Sequence, residues 1–356
     1  MSKRIYSLDV LRGTAIAIML FLDAPPDDIF TWLEHAPWSG LTIADLAFPL
    51  FAFAMGTSAA ISMSRREPST RKILRRVGVL FAIGIFLNLL PSICAGKISF
   101  DHLRLFGVLQ RLALTYALGI FIVKIFRREF GILIAAGALL IFSSTGFQLY
   151  SPENPFDETH NLSGAVDLIF PGANHIYTPT HDPEGLYGTL AGTASVLFGF
   201  LAGKILLDNS TTRDKIFLLT AAGVAMLIAG GLWTNFDIVS KRLWTAPFAL
   251  INGGIDLIFL ALLVKFVDNS PVKKFSQPFG ALGKTPLFFF VANNVVLTIL
   301  FAIPCGDTNF YLWLYQHTTQ GILSPEFGAT LFCVLWGLLW LIPAEIFCRM
   351  NVTIKI

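Results

Sequence analysis

The chain has 356 residues, 54% hydrophobic and only 14% charged, with a mean hydropathy of +0.67. A soluble domain carries roughly 25% charge, so an ordinary water-soluble fold is excluded and an all-α, polytopic membrane bundle is indicated. The net charge of +3 is too small to suggest a nucleic-acid partner.

About ten apolar runs are long enough for the hydrocarbon core, which needs roughly 20 residues per helix. In chain order they lie near Leu8–Asp23, Thr42–Met63, Ile73–Pro91, Leu105–Phe126 and Phe130–Leu149. The remainder lie near Leu186–Leu207, Ile216–Thr234, Leu243–Phe266, Pro286–Ile303 and Phe327–Phe347. The first run lacks an A-x-A cleavage site and contains Asp9 and Arg12, so it reads as a retained helix and not a signal peptide. Trp32, Trp38, Tyr150, Trp233 and Trp244 near run ends fit interfacial belts.

Lys and Arg are distributed one-sidedly. Alternate connections hold Arg65, Arg66, Arg71, Lys72, Arg75 and Arg76, then Lys124, Arg127 and Arg128, then Lys204, Arg213 and Lys215, then Lys265, Lys273 and Lys274. Lys3, Arg4, Arg349 and Lys355 fall on the same side, while the opposite loops hold little beyond Lys97, Arg104, Lys241 and Arg242. The positive-inside rule makes both termini cytoplasmic and puts His35 on the outer side. The same rule accounts for the basic clusters as topology signals that touch anionic headgroups. Gripping phosphates is the rarer alternative for any one of them.

The pattern predicts a single transmembrane domain over 1–356, with outer loops near 150–185 and 304–325. The first loop carries PENPFDETHN, His175, His181 and DPEG, the second Tyr311, Trp313, Tyr315 and His317. Loops longer than about 15 residues in a compact protein are usually functional or disordered. A bridge between Cys94 and Cys305, both on the outer side, is geometrically conceivable, whereas Cys333 and Cys348 have no metal-like spacing. No Walker loop, dinucleotide fingerprint, HExxH or GxSxG is present, and no metal is expected.

The chemistry lies in polar residues stranded in apolar runs. The stretch HAPWSGLTIADLAFPLFAFAMG places Asp45 near the mouth of a membrane helix, about ten residues after His35. A carboxylate costs about 2.5 kcal/mol or more at mid-bilayer, and such residues mark functional sites. Histidine adds the side chain whose ordinary titration lies near neutrality. Asp9 and Arg12, at i and i+3, share a helix face and can pair. Asn88, Asn293 and Asn294 read as helix glue. Arg111, beside Gln110, is harder to explain that way, because an intramembrane Arg usually faces a cavity or an anion.

Seven blocks then carry a resemblance: SLDVLRGTAIAIML, the HAPW block above, RRVGVLFAIGIFLN, LRLFGVLQRLALTY, THDPEGLYGTLAGTASVLFGFLAGKIL, KRLWTAPFAL and FGALGKTPLFFFVAN. In this order they resemble the bacterial relatives of heparan-α-glucosaminide N-acetyltransferase, within the transmembrane acyltransferases. The resemblance implies a multi-pass protein of a bacterial inner membrane that takes acetyl from cytoplasmic acetyl-CoA. It implies delivery to an amino sugar or glycan on the periplasmic face, with lipid as the surrounding partner and a homodimer left open. The family's catalytic histidine maps onto His35. Asp23 stands where the family usually has Asn, exchanging a neutral hydrogen-bonding group for an anion. Ser240 and Arg242 also stand where relatives often have Asn.

Acyl transfer to an amine needs a base and a donor for the oxyanion. His35 is the expected base, oriented by Asp45 or Asp23, or else a transient acetyl carrier. Arg12, with Arg111 and Gln110 deeper, is expected on the acetyl-CoA side, and Trp38, Asp182 and Glu184 on the acceptor side. A secondary transporter, with helices broken near Pro49 or Pro286, is the rival class.

Overall fold

The computed structural model describes residues 5–268, 273–350 and 352; Lys3, Arg4 and Lys355 lie outside them. Thirteen α-helices are present among these: α1 (Tyr6–Leu22), α2 (Ile43–Met63), α3 (Thr70–Cys94), α4 (Val108–Phe126), α5 (Glu129–Tyr150), α6 (Leu162–Asp167) and α7 (Thr189–Leu207). They continue as α8 (Thr212–Trp233), α9 (Ala246–Leu263), α10 (Lys273–Leu282), α11 (Pro286–Ala302), α12 (Phe310–Thr318) and α13 (Pro325–Arg349). Each expected apolar run therefore coincides with a helix. Eight, namely α2–α5, α7–α9 and α13, are long and apolar enough to cross a membrane. α1 is shorter, at 17 residues. α10 and α11 form a pair bent by 80°.

Burial separates a central layer from a rim. The apolar stretches of α7 and α2 are 72% and 67% buried, against 17% in both α3 and α8. Small residues bring the two central helices together. A Cβ on Gly199 would fall 1.9 Å from the Phe53 carbonyl oxygen, and one on Gly56 equally close to that of Val196. Close backbone approach at small residues is the usual way to gain packing energy where lipid removes the hydrophobic drive between helices. The rim instead exposes Phe130, Phe142, Phe217 and Ile228, as lipid-facing surfaces require.

The helix ends are locally encoded. Asp45 reaches back to the Thr42 backbone N–H (3.2 Å) and hydroxyl (3.0 Å) at the start of α2, while Ser69, Thr211, Asn309 and Ser324 accept from the first turns of α3, α8, α12 and α13. α2 runs on through Pro49; the break lies just before Pro286. The 150–185 connection contains the short α6, followed by a π-helical turn (Leu168–Gly172) and a 3₁₀ turn (Ala173–His175). The 304–325 connection is not a plain loop, because a two-residue hairpin (β1, Pro304–Cys305; β2, Thr308–Asn309) leads into α12. All four cysteines are free, so the Cys94–Cys305 bridge is absent.

Candidate active site

At the end of α2 away from the basic connections, Asp45 is fully buried and saturated with donors. One carboxylate oxygen accepts the Ala36 N–H (3.1 Å) besides both Thr42 groups. The other lies 2.8 Å from His35 Nδ1. A carboxylate facing Nδ1 selects the tautomer with its proton there, which leaves Nε2 as the acceptor nitrogen. His35 is 48% exposed, so its ring is reachable while its orientation is fixed from the buried side.

Lys241 completes the group. Its Nζ lies 3.1 Å from His35 Nδ1, 3.3 Å from Nε2 and 3.6 Å from the Asp45 carboxylate. Burial pulls the Lys241 ammonium below its ordinary range, and Asp45, Glu184 and Asp23 offset that only in part. The loop presenting it is tightly tied: Thr245 accepts the Ser240 N–H at 3.1 Å, and Trp244 adopts a positive φ of 51°. Trp244 is wholly buried and packs edge-on against Phe48, at 4.9 Å between rings. These groups open on a chamber of about 50 Å³ lined by Asp23, His35, Glu184 and Lys241 over apolar walls from α1, α2, α4 and α11.

Glu184 is delivered by a clamp between the α3–α4 and α6–α7 connections. Arg104 donates to Asp182 through Nε (2.8 Å) and Nη2 (2.6 Å), and also reaches Glu184. Asp167 accepts the backbone N–H groups of Asp182 (3.0 Å) and Leu186 (3.1 Å). Burial opposes charge on Glu184, yet Arg104, Arg111 and Lys241 outweigh it and hold its pKa below the ordinary range. Burial against Arg104 is likewise outweighed by its two carboxylates, which raise its pKa. Asp167 is pushed up to about 6, by burial above all.

Nearer the basic end, a second cavity of about 470 Å³ is lined by Arg12, Ser58, Arg76 and apolar residues of α2, α3, α4 and α11. Arg12 Nε donates to Ser58 (3.1 Å) and its Nη1 meets Asp9 at 3.3 Å. Arg76 lies 4.5 Å over the Tyr116 ring. Phe51, Leu112 and Val291 line this cavity, whereas Phe48, Val108 and Phe290 line the chamber. On α2 and α4 that is about one helical turn, roughly 5 Å, of separation. The two spaces are stacked along the same helices.

The catalytic-domain family model of heparan-alpha-glucosaminide N-acetyltransferase matches residues 4–226. The chain belongs to this family. The match spans His35, Asp45, Arg104 and the DPEG turn; Lys241 lies beyond it. The human heparan-alpha-glucosaminide N-acetyltransferase is 27% identical over 399 aligned positions, which cover 94% of this chain and 59% of that protein. The mouse protein is 26% identical, with 94% and 60% covered. The chain thus spans about 60% of the length of these relatives.

Of the expected N-acetyltransferase-family site residues, His35, Asp45, Asp23 and Glu184 are gathered at the chamber, and Arg12 at the larger cavity. The rest lie elsewhere. Arg111 is 1% exposed and donates to the Gly185 carbonyl (2.9 Å) while lying over Trp244, so it supports the DPEG turn on the chamber side and does not line the larger cavity. Gln110 is buried against Gly84 and Gly107 between α3 and α4, also off that cavity. Asp182 is fully buried and engaged by Arg104 and by the Tyr177 and Glu184 N–H groups, which leaves it no face for a substrate. Trp38 donates to the Phe156 carbonyl (2.8 Å) and packs on His181, anchoring loops. Lys241, Arg104 and Ser58 stand outside the expected set, and Arg76 stands in it only as a topology signal with phosphate binding as the rarer alternative. Lys241 and Arg104 did carry a signal: they are among the few basic residues on the loops that the charge bias leaves nearly bare. Among the described residues, no group of three or more His, Cys, Asp or Glu is placed to hold a metal.

Proposed function

We propose that this protein is a membrane-embedded acetyltransferase, with ten crossings and both termini cytoplasmic, in a bacterial inner membrane. It takes acetyl from acetyl-CoA entering the larger cavity and delivers it to an amine, such as that of an amino sugar, at the periplasmic chamber. The observation carrying this reading is the stacking of an arginine-flanked cavity beneath the His35–Asp45–Lys241 group on shared helices. Arg12 and Arg76 suit CoA phosphates, and the apolar walls suit its pantetheine arm. The charged nucleotide then stays at the cytoplasmic end and only the thioester terminus reaches the chamber.

In that arrangement Asp45 holds the Nδ1 proton of His35, and Nε2 takes a proton from the acceptor amine as it attacks the thioester carbonyl. The arriving amine displaces Lys241 from Nε2, freeing the ammonium to stabilise the oxyanion. Glu184 and Asp23 supply the negative charge that draws an ammonium or sugar hydroxyls to the mouth. The test is incubation of membranes with acetyl-CoA labelled in the acetyl group and a panel of amino sugars and glycan fragments. An acetylated product that disappears in His35→Ala supports the reading; none from any acceptor contradicts it.

A transporter is the second reading, favoured by the 80° break before Pro286. Uptake of an amino sugar by proteoliposomes without acetyl-CoA would select it.

A further inference from the structure

We infer that the chamber beside His35 measures the length of the transferred acyl group, with Phe290 as the wall residue that sets the limit. The inference rests on the acyl-transfer reading and concerns its donor specificity. The larger cavity, at about 470 Å³, is roomy, whereas the chamber holds only about 50 Å³. The difference in size suits the chamber to a short acyl group, and each methylene of propionyl or butyryl adds bulk that its apolar walls must accommodate.

The walls cannot yield evenly. Ala44 and Ala47 already present single methyl groups, and Phe48 is braced edge-on by Trp244. Phe290 is only half-buried and stands between Leu287 and Val291, which face the larger cavity. It therefore stands at the boundary of the two spaces. Met19 faces the chamber from α1 and offers a second wall. In the reaction, the C–N bond forms as the C–S bond breaks, and the amine proton passes to His35 and on to water. CoA leaves as thiolate and takes a proton from the cytoplasmic side. Chain length thus matters only where the acyl group must lodge during attack.

The test uses the full chain in lipid nanodiscs with acetyl-, propionyl- or butyryl-CoA and glucosamine, with products weighed by mass spectrometry. One surplus methylene pressed against apolar walls is worth about 10–200-fold, so the wild type should transfer butyryl at least about tenfold more slowly than acetyl. Phe290→Ala should raise the butyryl-to-acetyl ratio about tenfold or more, and Met19→Ala should raise it less. Ala47→Leu should suppress acetyl transfer while acetyl-CoA still binds. Equal use of butyryl and acetyl by the wild type would overturn the inference. So would an unchanged ratio in both widened variants once each binds acetyl-CoA. Acetyl transfer itself would stand in those cases; a wild type that transfers no acyl group to glucosamine or to any other acceptor of the panel would overturn the parent reading and this inference with it.

Discussion

The two stacked spaces differ in every property that recognition uses. The cavity nearer the basic connections is about nine times larger and, apart from Arg12, Arg76 and Ser58, is lined by apolar residues. The chamber is small and concentrates Asp23, Glu184, Lys241 and His35. In the function proposed above, the larger space holds something long and anionic at one end, and the smaller orients and charges a few atoms. Binding and chemistry are therefore separable by mutation, and that separation is what experiment can break or sharpen.

The largest effect belongs to His35. His35→Ala should lower turnover by about 10²–10⁴-fold while acetyl-CoA affinity stays near normal, as measured by single-turnover rates and equilibrium binding. Near-normal transfer would remove the chamber from the chemistry. Lys241→Met comes next, at about 10²–10³-fold in kcat if it holds the oxyanion, with Lys241→Arg recovering part of the loss. Equal damage by both would make Lys241 a structural anchor of its loop.

On the other side of the comparison, Arg12→Ala and Arg76→Ala should each raise the KM for acetyl-CoA by about 10-fold or more, the worth of one charge-assisted contact, with kcat at saturating donor little changed. A fall in kcat without a change in KM would place these arginines in the chemistry and erase the division.

The smallest effect concerns the clamp that delivers Glu184. Asp167 is raised to about 6 by burial, so the folded loop binds its proton more tightly than the unfolded chain does. Its stabilising contribution is full below the ordinary carboxylate range near 4 and is lost as pH rises through about 6. Hydrogen exchange of residues 181–187 should accelerate over that interval, and Asp167→Asn should flatten the slope. An identical slope in both proteins would assign the pH response to another group.

What was legible in the sequence follows sequence distance. The helices announce themselves through apolar runs, and the His35–Asp45 pair through a carboxylate in a membrane-length run only ten residues away. Asp9 and Arg12 meet as a helix period requires. Lys241, by contrast, comes from 206 residues beyond His35, and Arg104 reaches Asp182 across 78. No local pattern encodes such contacts. Arg111 misled for a physical reason: a buried guanidinium needs partners, but a backbone carbonyl and the Trp244 face serve as well as a ligand's anion. The second long connection hid α12 because nine residues between a hairpin and turns make too short a run for periodicity to declare.

The central claim is that donor and acceptor meet from opposite sides of the membrane. Sealed vesicles of known orientation, given acetyl-CoA labelled separately in its acetyl and nucleotide parts on the cytoplasmic face and an impermeant amine acceptor on the other, test it most directly. The account predicts acetyl label on the acceptor in the opposite compartment, with the nucleotide label remaining on the side where it was added. Product formed only when donor and acceptor share one compartment would contradict it.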